Sequence, residues 1–248
     1  MLWFDPADPS SPGAAVSVQG DRVHDECGVV GVYSKGEDVA RIAFFGLFAL
    51  QHRGQESAGI ATGDGKVIRL RTSMGLITQS FQEDNLERLT GYVGIGHTRY
   101  STTGSSQAKN AQPIISNGPD VKLALGHNGN VVNAKELKEE LLGWGCTFTS
   151  TNDSEIVAHL ISNAPATTWE DRIAYAMRRL RGAYSLVVMT KDTLLGIRDP
   201  LGVRPLCIGK LNDGWVIASE TQAPWDAYLS GASPAMPSST RLLPCPQT

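Results

Sequence analysis

The chain has 248 residues, of which 41% are hydrophobic and 19% are charged, and its formal net charge at pH 7 is −3. This size and composition are typical of a globular protein that can bury a full core as one domain. The small negative charge argues against nucleic acid and against an anionic membrane as partners. The longest nearly apolar stretch, residues 42–50, is far shorter than a membrane span.

Three segments differ in composition. Residues 1–26 are rich in Pro, Ser, Ala and Asp and lack the basic start and apolar core of a secretory signal, which predicts a disordered leader. Residues 222–248 carry five prolines and little periodicity, which predicts a disordered or out-of-frame tail. We therefore expect the folded domain to occupy residues 27–221.

Apolar runs of strand length recur along the expected domain. They predict strands at 28–33, 58–62, 92–97, 121–127, 184–190, 194–198, 206–209 and 215–219. Apolar residues at helical spacing predict helices at 39–50, 155–162 and 169–180. A further helix is predicted to be capped by Asn133, with Leu137 and Leu141 on its inner face. This mixture indicates the α+β class.

The four cysteines, Cys27, Cys146, Cys207 and Cys245, are scattered and form no C-x-x-C pair. This spacing indicates neither a zinc site nor a disulfide framework. It is typical of a protein of the reducing cytoplasm.

Cys27 is followed along the chain by three polar signatures, Arg-Tyr-Ser-Thr-Thr-Gly at 99–104, His-Asn-Gly-Asn at 127–130 and Asn-Asp-Ser-Glu at 152–155. Each feature alone has an ordinary interpretation: a buried free cysteine, a surface arginine, an Asn-Gly hairpin turn and a helix N-terminal carboxylate. Together they supply a thiol, a cation, an amide beside a glycine, and an anion. That set suits a site that holds free glutamine and attacks its side-chain amide.

Five segments in this order resemble amidophosphoribosyltransferases: Cys-Gly-Val-Val-Gly at 27–31, Leu-Gln-His-Arg-Gly-Gln-Glu at 50–56, Gly-His-Thr-Arg-Tyr at 96–100, His-Asn-Gly-Asn at 127–130 and Ser-Glu-Thr at 219–221. The resemblance runs from about residue 24 to residue 221 and is to the glutaminase half of that family, a class II, N-terminal-nucleophile glutamine amidotransferase. It implies a four-layer αββα sandwich of two antiparallel sheets between helices. It also implies hydrolysis of glutamine to glutamate and ammonia, which the family uses to make phosphoribosylamine at the first committed step of purine synthesis.

The resemblance implies catalytic roles for individual residues. Cys27 would be the nucleophile and, once the leader is removed, its free α-amino group would be the base, since such an amine has a pKa of about 7.7–8.0. Arg53 stands where the family has an arginine that supports the catalytic N-terminus. Asn128 and the N–H of Gly129 would form the oxyanion hole.

Substrate-binding roles are implied in the same way. Arg99 and Thr102 would line the pocket for the α-carboxylate of glutamine, and Asp153 would hold its α-ammonium. His97 and His127 are further acid–base candidates. Because the amine already supplies a base, we interpret both histidines as structural residues at strand ends.

Members of the family continue into a second domain, which binds phosphoribosyl pyrophosphate with magnesium. Its mark, a buried strand ending in two adjacent acidic residues, is not found in this sequence, and Gln222 stands where some members have a cysteine ligand of an iron–sulfur cluster. We therefore expect no metal or cofactor in this chain, and as partners a separate phosphoribosyltransferase chain or further copies of this one. The alternatives are a free-standing amidotransferase subunit that feeds ammonia to another synthase, and a catalytically silent glutamine-sensing module.

Overall fold

The computed structural model describes residues 27–100 and 106–221. Its strands are β1 Gly28–Tyr33, β2 Ser57–Gly63, β3 Ile68–Met74, β4 Val93–Arg99, β5 Ile114–Asn117, β6 Lys122–Val131, β7 Gly182–Met189, β8 Leu194–Arg198, β9 Cys207–Lys210 and β10 Trp215–Ala218. Its α-helices are α1 Val39–Ala49, α2 Ile77–Ser80, α3 Glu83–Glu87, α4 Ala134–Gly143, α5 Asp153–Ser162 and α6 Trp169–Arg179. The predicted leader, the predicted tail and Thr102 lie outside the described residues.

The strands form two antiparallel sheets, ordered β3-β2-β4-β1-β10-β9 and β5-β6-β7-β8. In the first sheet β1 lies between β4 and β10, with Gly28 opposite Thr98 and Val30 opposite Ala218. Because both pairings are antiparallel, the beginning of β1 meets the ends of β4 and β10 at one end of the sheet.

The two sheets pack face to face, and helices cover their outer faces. Successive side chains of β1 point to opposite faces of the sheet, and Val29 packs between the two sheets with Val187. Its neighbours Val30 and Val32 pack against Leu47 of α1 on the other face. Helices α1–α3 cover the first sheet and α4–α6 the second, which confirms the expected α+β sandwich.

All eight predicted strands are present, but β3 and β5 were missed. Both are edge strands, and every residue of β3 is half-buried or exposed, so it lacks the apolar run that the prediction relied on. The predicted strand 121–127 continues to Val131. The first helix ends at Ala49, one residue earlier than predicted, and the predicted helix 155–162 begins at Asp153.

Asn133 holds the beginning of α4 in a different way from the one predicted. It occupies the N-cap position but makes no capping bond with its side chain. Its amide instead donates to the Arg179 carbonyl and accepts from the Arg181 N–H, both at 2.9 Å, which ties α4 to the turn after α6. Leu137 and Leu141 are buried, as predicted. Among residues 27–100 and 106–221, no helix is long and apolar enough to cross a membrane.

Candidate active site

Cys27 directly precedes β1 and lies beside the end of β4. Its sulfur is 3.4 Å from both the backbone nitrogen and the backbone oxygen of Tyr100. Burial raises the pKa of the thiol above its ordinary value, although the Tyr100 backbone and the charge of Arg99 act in the opposite direction. A buried thiol of raised pKa needs a base to become a thiolate, which is the nucleophilic form.

Arg99, the last residue of β4, is buried and forms an ion pair with Glu56. The two residues are neighbours because Ser57 opposes Arg99 in the pairing of β2 with β4. In addition, the backbone N–H of Glu56 donates to the Arg99 carbonyl at 3.1 Å. The guanidinium therefore has a carboxylate of the protein beside it.

Asn128 and Gly129 lie inside β6, so the hairpin interpretation of this Asn-Gly pair is wrong. Gly129 has a φ of 150°, and a Cβ there would come within 2.1 Å of the Ala183 carbonyl oxygen, so only glycine fits. The Asn128 side chain is completely buried, yet neither of its amide atoms has a hydrogen-bond partner among the described residues. A buried amide without a partner is unusual and calls for a ligand, a water or a catalytic role.

Asp153 is the first residue of α5, directly after the N-cap residue Asn152. One carboxylate oxygen accepts from the Val131 N–H at 2.9 Å, and the other lies 3.6 Å from Nδ1 of His127. Burial opposes ionisation, but His127 and the backbone donors Val131 and Ser154 outweigh it and lower the pKa of the carboxyl group. Asp153 is therefore a buried anion.

His97 and His127 lie within β4 and β6, which corrects their predicted placement at strand ends. Nε2 of His97 donates to the His127 carbonyl at 3.0 Å, and Nδ1 of His127 is hydrogen-bonded to the Ser154 hydroxyl at 3.1 Å. Burial lowers the pKa of His97 to about 3, and the bond to the His127 carbonyl offsets this only in part. His97 is thus neutral near pH 7 and too weak a base to take the proton of a thiol.

Arg53 ends the short 3₁₀ helix Gln51–Arg53 that follows α1. Its Nε donates to the Cys27 carbonyl at 3.2 Å, and its Nη1 pairs with the carboxylate of Glu220. The next residue, Gly54, packs so closely that a Cβ there would come within 2.7 Å of the Arg99 backbone. Arg53 therefore contacts the backbone of Cys27.

The fold brings several of the predicted residues to one thiol. Arg99 lowers and Asp153 raises the pKa of Cys27, so a cation from β4 and an anion from α5 both act on the residue before β1. Two further residues were not among the predicted site residues: Glu56, which pairs with Arg99, and Glu220, which pairs with Arg53. Both stand in segments that carried the family resemblance, and that was the available signal.

The αββα sandwich, with Cys27 directly before the inner strand β1, is the fold of the N-terminal-nucleophile hydrolases. A profile of the glutamine amidotransferase domain matches residues 97–224, about half of the chain. The chain belongs to this glutamine amidotransferase domain family.

Longer proteins share this sequence and fold. The amidophosphoribosyltransferase of Synechococcus elongatus is 48% identical over 207 residues, which cover 81% of this chain and 42% of that protein. The amidophosphoribosyltransferase of Mycobacterium tuberculosis is 46% identical over 206 residues, which cover 80% and 39%. The structure of the B. subtilis glutamine phosphoribosylpyrophosphate amidotransferase complexed with ADP and GMP matches with a TM-score of 0.75 and 40% identity, over 81% of this chain and 43% of that one. The chain thus spans less than half the length of these relatives.

Proposed function

We propose that this chain hydrolyses glutamine to glutamate and ammonia, as the glutaminase part of an amidophosphoribosyltransferase. The proposal rests on the placement of two charges at Cys27: Arg99, whose chain neighbour Tyr100 lies 3.4 Å from the Cys27 sulfur, and the buried Asp153, which is close enough to raise the pKa of the thiol. A free amino acid carries an α-carboxylate and an α-ammonium, and these two side chains match both charges. Membership of the glutamine amidotransferase family supports glutamine as that amino acid.

The proposed reaction begins once Cys27 is the first residue. Its α-amine, with a pKa of about 7.7–8.0, takes the thiol proton. The thiolate attacks the side-chain amide carbon of glutamine, and Asn128 and the Gly129 N–H donate to the oxyanion that forms. The protonated amine passes its proton to the departing nitrogen, which leaves as ammonia. Water then hydrolyses the thioester to glutamate and restores the thiol.

Substrate recognition in this proposal uses Arg99 with Thr102 for the carboxylate and Asp153 for the ammonium. A guanidinium has five N–H donors in a fixed fork, so Arg99 can serve a substrate carboxylate while it stays paired with Glu56. The proposed chemistry calls for no metal or cofactor in this chain, because the nucleophile, the base and the oxyanion donors are all protein groups.

We further infer that the ammonia serves phosphoribosylamine formation in purine synthesis, with phosphoribosyl pyrophosphate as its acceptor. The names of the relatives support this inference, since they are amidophosphoribosyltransferases. A phosphoribosyltransferase domain would be the partner in that step, and we place the reaction in the cytoplasm.

The test is glutamate release by protein whose first residue is established by intact mass. The form that begins at Cys27 should release glutamate. The form that retains residues 1–26 should not, because an amide nitrogen cannot take the thiol proton. The Cys27→Ala variant of the shorter form should bind labelled glutamine without turnover.

Two results would contradict the proposal at different points. Hydrolysis at the full rate by protein with its leader intact would exclude the α-amine as the base. Binding of glutamine by both forms, with turnover by neither, would exclude the glutaminase and favour the sensing module.

A further inference from the structure

Glu220 joins the end of the first sheet to the turn after α1. Its carboxylate accepts from Nη1 of Arg53 and lies 3.3 Å from Nε2 of His52. The preceding residue fixes its backbone, because the Val29 N–H donates to the Ser219 hydroxyl at 2.9 Å and the Ser219 N–H donates to the Val29 carbonyl at 3.0 Å. Burial opposes ionisation of Glu220, but the bonds from Arg53 and His52 outweigh it and lower its pKa.

The same arginine reaches the first residue of the domain. While Nη1 of Arg53 pairs with Glu220, its Nε donates to the Cys27 carbonyl at 3.2 Å. A guanidinium is planar and rigid, so an anchor at Nη1 also sets the direction in which Nε points. Glu220, Arg53 and Cys27 therefore form one chain of contacts.

The Arg53–Glu220 ion pair is not explained by stability. The two side chains are 13% and 29% exposed, and pairs near the surface contribute only about 0–1 kcal/mol to folding. What distinguishes this pair is its contact with Cys27. A carbonyl held in place anchors the backbone next to the Cα of Cys27, the atom that bears both the thiol side chain and the α-amine.

We propose that Glu220 is a positioning residue for the nucleophile: it orients Arg53, which holds the Cys27 backbone so that thiol and amine face the substrate amide. The inference rests on the proposed glutaminase function. It differs from the roles of Arg99 and Asp153 because it concerns the nucleophile and not the binding of glutamine.

A residue that positions the nucleophile should affect kcat and leave KM unchanged. The variant Glu220→Gln keeps the size and an acceptor oxygen but loses the charge that anchors Arg53. We expect kcat for glutamine to fall about tenfold, because a displaced nucleophile slows the attack while binding is unaffected. KM and the melting temperature should stay close to those of the unaltered protein.

A double-mutant cycle tests whether Glu220 acts through Arg53. We expect Arg53→Gln to lower kcat by more than Glu220→Gln, and the double variant to match Arg53→Gln alone. A loss in the double variant equal to the product of the two single losses would overturn the proposal, as would an unchanged kcat in Glu220→Gln. The control is Glu140→Gln, which removes the acidic partner of another partly exposed Arg–Glu pair, between α4 and α6, and should leave kcat unchanged.

A readout independent of glutamine separates this inference from the proposed function. Among residues 27–100 and 106–221, the charges placed at Cys27 are Arg99 of β4 and Asp153 of α5, which act on its thiol, and Arg53, which binds its carbonyl and pairs with Glu220 beside His52. Loss of the Glu220 charge leaves the Arg53 cation uncompensated beside Cys27, which favours the thiolate.

The measurement is the rate of iodoacetamide modification of Cys27 against pH, followed by mass spectrometry of its peptide in protein of one defined N-terminus. In Glu220→Gln the midpoint of this pH–rate curve should lie about 0.5 pH unit lower than in the unaltered protein, and in Glu140→Gln it should be unchanged. Equal midpoints in both variants would contradict the proposed link from Glu220 through Arg53 to Cys27, even if no form of the protein hydrolyses glutamine. A lowered midpoint in inactive protein would support this link and reject only the glutaminase.

Discussion

Arg99 and Glu56 form a buried ion pair at the place where we propose that the substrate carboxylate binds. Their side chains are 2% and 16% exposed. Removal of one partner from such a pair leaves the other charge uncompensated, which costs more than the pair itself contributes. Substitutions of Arg99 therefore act on folding as well as on binding, and the first prediction keeps the positive charge for that reason.

The variant Arg99→Lys should raise KM for glutamine strongly. A lysine keeps a cation for Glu56, but one ammonium cannot hold a second carboxylate in a fixed two-bond geometry. We expect kcat/KM to fall roughly 30- to 1,000-fold, mostly through KM. The control is Arg172→Lys, since Arg172 is also buried and pairs with Asp120 in another part of the fold. Unchanged kinetics in Arg99→Lys would remove this residue from the site.

The variant Asp153→Asn should raise KM over a similar range, since a neutral amide cannot pair with an ammonium. Asparagine keeps the shape and an oxygen that can accept from the Val131 N–H, so the fold should tolerate it. A sharper readout uses the deamino analogue of glutamine as a competitor. The unaltered protein should prefer glutamine over this analogue, and Asp153→Asn should lose that preference. A variant that retained it would show that another group binds the ammonium.

The variant Asn128→Ala should lower kcat by about 10²–10³-fold if its amide donates to the oxyanion. The structure adds an expectation about stability. Because neither amide atom has a partner among the described residues, the substitution breaks no hydrogen bond and removes a buried polar group. The melting temperature should therefore not fall. The control is Asn117→Ala, an exposed asparagine at the end of β5, and a comparable loss of kcat there would contradict the assignment.

Most of the fold could be predicted because the inner strands are apolar runs bounded by polar turns. Strand β1 is buried on both faces and stands out in the sequence for that reason. The edge strands β3 and β5 lack this signal, since solvent covers part of their surface. The placement of β1 between β4 and β10 depends on contacts between distant segments, which periodicity does not encode.

The functional site, too, could be predicted only in part from the sequence. Sequence motifs marked Cys27, Arg99 and Asp153, because each stands in a short polar signature with its own chemistry. These motifs could not show which acidic side chain pairs with which arginine. Glu56 is 43 residues from Arg99, and Glu220 is 167 residues from Arg53. These pairs exist only because β2 lies beside β4 and β10 beside β1.

His97 should make the folded state sensitive to acid. Burial lowers its pKa to about 3, whereas a histidine in an unfolded chain has a pKa of about 6.5. Between these values the unfolded chain binds a proton that the folded protein excludes, so stability falls as the pH falls. The contribution of His97 is fully present above about pH 6.5 and should decline by about 2 kcal/mol at pH 5.

The measurement is urea unfolding of the unaltered protein and of His97→Gln near neutral pH and near pH 5. Glutamine can still donate to the His127 carbonyl, the bond that His97 makes at 3.0 Å. The substitution is expected to change absolute stability, so the informative quantity is the difference in unfolding free energy between the two pH values. That difference should be smaller in the variant by about 2 kcal/mol, since its side chain does not titrate. Equal differences would show that His97 accepts a proton in the folded protein, and it would then return as a candidate base for Cys27.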